Sequence, residues 1–210
     1  MLDELLNITS TEPYKSSGGM KVLDISIKPL DTPDVKIVFE IWIDDLTNIT
    51  TQKWELSCVD LAQIDGIPQI IIPSTQLKLY NEHPVLWQWD DEVYISITSK
   101  ASNIPALMGD LFIDHAKACG NWVGFHWLYA SLPETLNTLR ENQLGIPAKL
   151  KVSCFQVLER YGVEYQINEL QPKERQYCVL FFSNANIWPD EENFKQSYII
   201  AREFSAHRIS

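Results

Sequence analysis

The apolar residues of this chain change their spacing twice, and this change constrains the fold more than any other sequence feature. In the first and last thirds they recur at or near alternate positions, in runs rich in β-branched and aromatic residues. In the middle third they recur at helical spacing instead. Strands and helices that are segregated along a chain favour an α+β fold. We therefore predict a mostly antiparallel sheet with about three helices packed on one face.

The strand patterns begin after residue 20. Residues 35–43 alternate for part of their length, and residues 50–59 place Trp54, Leu56 and Cys58 on one face. The polar residues between these runs indicate a turn, so the pair is predicted to be antiparallel. The same signals predict further short strands at residues 22–27, 69–72, 77–79, 85–87, 93–97, 163–167, 177–182 and 198–204.

The clearest helix is predicted over residues 104–119, ending at Gly120. A second helix is predicted from Ser131 to Gly145, and a third from Pro147 to Gly162. On the first helix, Asp110, Asp114 and Lys117 form a polar side. Its apolar side contains Ile104, Leu107, Met108, Leu111, Phe112, His115 and Cys119.

The domain organisation is predicted from composition. The stretch 16–19, Ser-Ser-Gly-Gly, is a flexible break, so residues 1–20 are interpreted as a flexible N-terminal arm. Residues 21–210 contain no comparable break and are predicted to form a single α+β domain.

Charge and cysteine content limit the classes of partner. The net charge is −11, from 28 acidic and 17 basic residues, and no basic run is present. Nucleic acids and anionic membranes are therefore disfavoured as partners, since both are bound through Lys and Arg. The four cysteines are far apart in the sequence. No apolar stretch approaches the roughly 20 residues of a membrane span, and the N-terminal residues lack the pattern of an export signal. We expect a cytoplasmic protein with reduced thiols, no cofactor and no metal site.

An aromatic segment supplies the first candidate site. Trp122, Phe125, His126 and Trp127 are crowded around Gly124. These rings are suited to a pocket for a small apolar or cationic ligand, with His126 as a general base. The alternative is a junction between packed elements, in which the rings fill the gap.

The predicted helix over 104–119 offers two further candidate pairs. His115 and Cys119 are four residues apart, a spacing that suits two metal ligands or a thiol beside a base. Asp110 and Asp114 have the same spacing and suit a cation or acid–base chemistry. The alternatives are a buried His and Cys in the apolar stripe, and a solvated face on which Asp114 pairs with Lys117.

A second aromatic cluster supplies a candidate interaction surface. Trp87 and Trp89 share one side of the predicted strand and precede the acidic turn Asp90, Asp91 and Glu92. An exposed patch of this kind would suit a protein partner, whereas a buried one would be core. Further acidic turns occur at residues 44–45 and 190–192. If the three clusters converge, the partner is expected to be basic.

Two functional hypotheses follow, and both leave the oligomeric state open. No G-x-S-x-G elbow, G-x-G-x-x-G turn or phosphate-binding loop is present, and glycine totals only 8. The leading hypothesis is therefore a non-catalytic protein-interaction protein, such as an adaptor or inhibitor. The alternative is a small-molecule-binding domain or small enzyme built around residues 122–127.

Overall fold

A computed structural model describes residues 1–28, 31–44, 47–66, 72–73, 75–120, 122–139, 143–171, 176–183 and 197–209. Of residues 72, 73 and 169–171 it describes the backbone alone. The predicted acidic turn at 190–192 and most of the apolar run at 69–72 lie outside the described residues.

The chain separates into two compact units. Unit 1 comprises Met1–Glu82 and Tyr177–Ser210, and unit 2 comprises His83–Gln176. No Gly- or Ser-rich stretch marks the junction at Glu82–His83, so composition alone predicts no boundary there.

The described residues of unit 1 form two helices and seven strands. The helices are α1 (Leu2–Ser10) and α2 (Glu12–Ser17). The strands are β1 (Gly18–Ile27), β2 (Val35–Asp44), β3 (Ile49–Asp65), β4 (Ile72–Pro73), β5 (Gln76–Tyr80), β9 (Cys178–Ser183) and β10 (Ser197–Arg208).

The strands of unit 1 form one sheet in the order β4-β1-β2-β3-β10-β9-β5, with antiparallel neighbours throughout. Trp54, Leu56 and Cys58 of β3 are fully buried on one face, as their spacing predicts. The partner strand β2 adds Ile37 and Phe39 to the same buried cluster. The antiparallel sheet predicted from the sequence is thus confirmed.

The N-terminal residues differ from the flexible arm that their Ser-Gly break predicted. They form α1 and α2, and Leu5 and Tyr14 are fully buried. The Tyr14 hydroxyl donates to the Thr75 carbonyl over 2.6 Å. The Thr9 hydroxyl accepts from the Leu77 N–H of edge strand β5 over 3.2 Å. Helix α1 therefore supplies a hydrogen-bond acceptor to a backbone N–H of edge strand β5. An uncovered edge would leave this N–H without a partner in the protein.

In the part of unit 2 that the structure describes there are four α-helices and three strands. The helices are α3 (Ile104–Cys119), α4 (Phe125–Tyr129), α5 (Leu132–Thr138) and α6 (Lys151–Arg160). The strands β6 (Glu92–Ile97), β7 (Gln143–Pro147) and β8 (Tyr165–Gln171) form an antiparallel sheet in the order β7-β6-β8. Short 3-10 helices cover Pro84–Leu86 and Ala148–Leu150.

The buried cluster of unit 2 joins its sheet to its helices. Ile95 and Ile97 of β6 belong to one buried cluster with Leu107 and Leu111 of α3. The α+β class is confirmed, although the described residues contain more than the three helices predicted and two sheets in place of one.

Two predicted elements of unit 2 are corrected. Residues 85–87 do not form a strand, because Pro84 fixes a helical φ and the His83 ring caps the turn by accepting from the Val85 N–H over 3.2 Å. The helix predicted from Ser131 to Gly145 ends at Thr138, where Leu139 is left-handed (φ 57°). The bounds of α3 agree with the prediction, including its end at Gly120.

The integration of α1 predicts a specific loss of stability. Thr9→Val removes the acceptor of the buried Leu77 N–H, so we expect the free energy of unfolding to fall by about 1–3 kcal/mol. The control is Ser10→Ala, because the Ser10 hydroxyl is exposed and, among the described residues, bonds within its own helix. Urea denaturation followed by circular dichroism measures both, and equal stabilities would contradict the assignment.

Candidate functional site: the α3–α4 junction

His115 connects α3 to the segment that follows it. Its side chain is buried, and its Nε2 lies 2.7 Å from the Val123 carbonyl oxygen. A carbonyl can only accept, so Nε2 carries the proton and donates. The other nitrogen, Nδ1, is buried and has no hydrogen-bond partner among the described residues. Burial lowers the pKa of His115 because it disfavours the charged ring.

Cys119 lies one helical turn beyond His115. Its Sγ is 3.2 Å from His115 Nε2, and its S–H donates to the His115 carbonyl over 3.1 Å. The thiol is fully buried, which raises its pKa to about 11. A thiol with this pKa is protonated near neutral pH, whereas nucleophiles and metal ligands need the thiolate. The pair thus matches the sequence alternative of a buried His and Cys.

Aromatic rings close the junction around His115. The rings of Phe125 and Tyr129 lie edge-on to the imidazole, with centroid distances of 5.6 and 5.9 Å. Trp122 is half-buried and lies edge-on to His83, 4.8 Å between centroids. These contacts favour the sequence alternative in which the rings fill a gap between packed elements.

The other two residues of the predicted pocket lie apart from this packing. His126 and Trp127 are on α4 and both are exposed. Within the described part of the chain, no hydrogen bond or ion pair orients the His126 ring. A general base requires an orienting partner. The structure therefore places Trp122 beside His83 and Phe125 beside His115, and neither buried histidine belongs to the predicted pocket.

The second candidate surface forms a turn instead of a strand. Trp87 packs against the buried cluster of unit 2, and Trp89 is half-buried. Asp90, Asp91 and Glu92 are also half-buried, and the Glu92 carboxylate accepts from the Tyr94 hydroxyl over 2.8 Å. Consecutive backbone hydrogen bonds form this turn. Trp87 and Trp89 therefore do not share a strand face, as we had predicted they would.

The carboxylates of α3 are engaged by cationic side chains. Asp110 Oδ2 accepts from Arg160 Nη1 over 2.6 Å and from the Tyr161 hydroxyl over 3.0 Å, and these bonds lower the pKa of Asp110. Asp114 pairs with Lys117 over 3.6 Å. Across the described ranges, no group of three or more His, Cys, Asp or Glu side chains is arranged to hold a metal ion.

An open groove of about 360 Å³ lies at the β1–β2 connection of unit 1. Its lining includes Lys36 and Asp34, which are already engaged. Lys36 pairs with Glu55 over 3.0 Å, and the Asp34 carboxylate accepts from the Leu61 N–H over 2.7 Å. Two of the charged side chains that line the groove are therefore engaged by the protein itself.

Sequence reasoning missed a third face of α3. Phe112 and Ile113 are 54% and 50% exposed, and Phe112 lies edge-on to Phe125 with 5.3 Å between centroids. Pro105, Gly109 and Ala116 fall on the same side at helical spacing. We call these five residues the outer face. It lies between the polar side and the buried side of the helix. The spacing of residues 105, 109, 112, 113 and 116 is the sequence signal that separates it from those two sides.

Comparisons with models of protein families, with curated proteins and with solved structures found no match to this chain. Among the described residues, no helix combines the length and apolar character that a membrane crossing requires.

The burial of Cys119 predicts slow thiol chemistry. With a pKa of about 11, only about one thiol in several thousand is ionised at pH 7.5. Iodoacetamide should therefore modify the half-buried Cys178 before Cys119 in the folded protein, as peptide mass spectrometry can establish. Preferential labelling of Cys119 would instead reveal an accessible, activated thiol.

Proposed function

We propose that this protein is non-catalytic and binds a protein partner through the outer face of α3. The observation that carries the proposal is the pair of exposed, adjacent large apolar residues Phe112 and Ile113 on an ordered helix. Exposed apolar side chains that form a patch are typical of interaction sites. Transfer of two such side chains from water into an interface supplies several kcal/mol.

Gly109 supports the proposal from a different direction. A glycine inside a helix costs about 1 kcal/mol relative to alanine. No contact among the described residues explains this cost, because a Cβ placed at Gly109 would meet none of their atoms within 4 Å. A partner helix that approaches the backbone of α3 closely, with a large side chain seated over Gly109, does explain it.

The size of the outer face indicates the kind of partner. It spans about three helical turns, from Pro105 to Ala116, and contains two large side chains. A stable interface buries about 800 Å² on each partner. The outer face offers less, so we propose that its partner is a single amphipathic helix held in a transient complex.

The alternative of an enzyme or small-molecule site receives less support from the same unit. The buried His115–Cys119 pair is enclosed by rings, and the exposed His126 has no orienting group in the described chain. Charge gives less support to a basic partner, since Asp90, Asp91 and Glu92 are only half-exposed. The proposal therefore depends on apolar contact.

The open site at Gly109 predicts that a small side chain there stabilises the free protein, whereas a large one obstructs the partner. Gly109→Ala should raise the free energy of unfolding by about 0.5–1 kcal/mol, because the site is open and helical. Gly109→Arg should remain folded but block a closely packed partner. Thermal unfolding measures the first effect. A destabilised Gly109→Ala variant would show that glycine is required by the fold itself.

The proposed function is tested by quantitative affinity purification of three tagged proteins from their own cells. The test variant is Phe112→Gln/Ile113→Gln. Its matched control is Val152→Gln, which alters an equally exposed apolar residue on α6 of the same unit. We expect a partner retained by wild type and control, with affinity reduced at least tenfold in the double variant, a change of about 1.4 kcal/mol or more. Equal retention by all three proteins, or no retained partner, would contradict the proposal.

A further inference from the structure

Two buried imidazoles hold the segment Trp122–Tyr129, which we call the latch segment. His115 donates to its Val123 carbonyl and packs against its Phe125 and Tyr129 rings. His83 lies edge-on to the ring of Trp122, at its first residue. Both imidazoles are buried, at 4% and 3% exposure.

Protonation of His115 is incompatible with its present surroundings. Its Nε2 already donates to Val123, so the added proton must go to Nδ1. This nitrogen is buried and, within the described residues, has no acceptor. The result would be a buried positive charge with an unsatisfied N–H, enclosed by the Phe125 and Tyr129 rings. An arrangement of this kind is unstable unless the ring reaches water.

Protonation of His83 breaks a different bond. Its Nδ1 accepts from the Val85 N–H over 3.2 Å, so this nitrogen carries no proton at neutral pH. A proton at Nδ1 would face the Val85 N–H, placing two donors against each other. The cap of the 3-10 helix Pro84–Leu86 would be lost, and with it the position of the ring that contacts Trp122.

The described titratable groups beside His115 do not stabilise its charged form. Those at His115 are Cys119 of α3, Tyr129 of α4 and, through Tyr129, Cys154 of α6. Burial raises the pKa of all three, so each stays neutral in acid. At His83 the cost of protonation is the loss of the bond that its Nδ1 accepts from the Val85 N–H.

We propose that His83 and His115 form an acid-sensitive latch, which holds Trp122–Tyr129 in place at neutral pH and releases it when the imidazoles are protonated. The latch is independent of the outer-face proposal. Its function is conformational: release would free α4 from α3 and expose Phe125 together with Phe112.

The pH window follows from the sign of the linkage. Burial lowers the pKa of His83 from 6.5 to about 4 and also lowers that of His115. The released state therefore binds more protons, and the latch loses stability as pH falls below 6.5. Each histidine can increase the released fraction by up to tenfold per pH unit within its window.

The test is hydrogen exchange of the latch segment between pH 7 and pH 4.5, expressed as protection factors that remove the intrinsic pH dependence. The test variant is His83→Asn/His115→Gln. Asparagine retains a capping acceptor and glutamine retains a donor, but neither titrates. The matched control is His126→Gln, which changes an exposed histidine inside the segment. Amides of β3 and β10 report on unit 1.

We expect wild type and control to lose at least tenfold protection in residues 122–129 below pH 6.5, while β3 and β10 keep theirs. The double variant should change less than threefold. Constant protection in the wild type, parallel loss in the double variant, or equal loss in β3 and β10 would each overturn the proposal. If the double variant does not fold, the wild-type histidine ring signals decide: titration of His83 and His115 at or above pH 6.5 would overturn it.

Discussion

The burial of one side of α3 is the interaction on which the rest of unit 2 depends. Leu107 and Leu111 join the same buried cluster as Ile95 and Ile97 of β6. This contact fixes the rotation of the helix about its axis. Since side chains on a helix have fixed angular positions, the rotation also determines what happens to every other residue of α3.

Two consequences of this rotation have opposite chemical character. Further along the buried side, His115 and Cys119 are enclosed. Burial lowers the pKa of His115 and raises that of Cys119, so both side chains stay in their neutral, less reactive forms. On another side, Phe112 and Ile113 remain in solvent although they are apolar. Of the residues that looked reactive in the sequence, His115 and Cys119 are thus buried, whereas His126 is exposed. Phe112, which its spacing placed on the apolar side of the helix, is exposed together with its neighbour Ile113, and this exposure is what supports the proposed binding role.

Whether an element could be predicted depended on how close in the sequence the residues that determine it are. The bounds of α3 were predictable because Asn103 caps its first turn and Gly120 ends it with a positive φ. The strand predicted at residues 85–87 was wrong because Pro84 and the His83 cap override the β propensity of the residues that follow. The helices α1 and α2 were missed because their Ser-Gly boundary indicates flexibility, while the burial of Leu5 and Tyr14 depends on distant parts of the chain. The bond between His115 and Val123 is also tertiary, and no spacing rule predicts it.

The most direct test of the account is photo-crosslinking in the native cells with benzoylphenylalanine at position 113. The same substitution at the equally exposed position 152 on α6 is the comparison. The account predicts a discrete crosslinked protein at 113 that is absent at 152, and its crosslinked peptide should form an amphipathic helix. Identical patterns at the two positions, or no crosslink at 113, would contradict the central claim that the outer face of α3 is a binding surface.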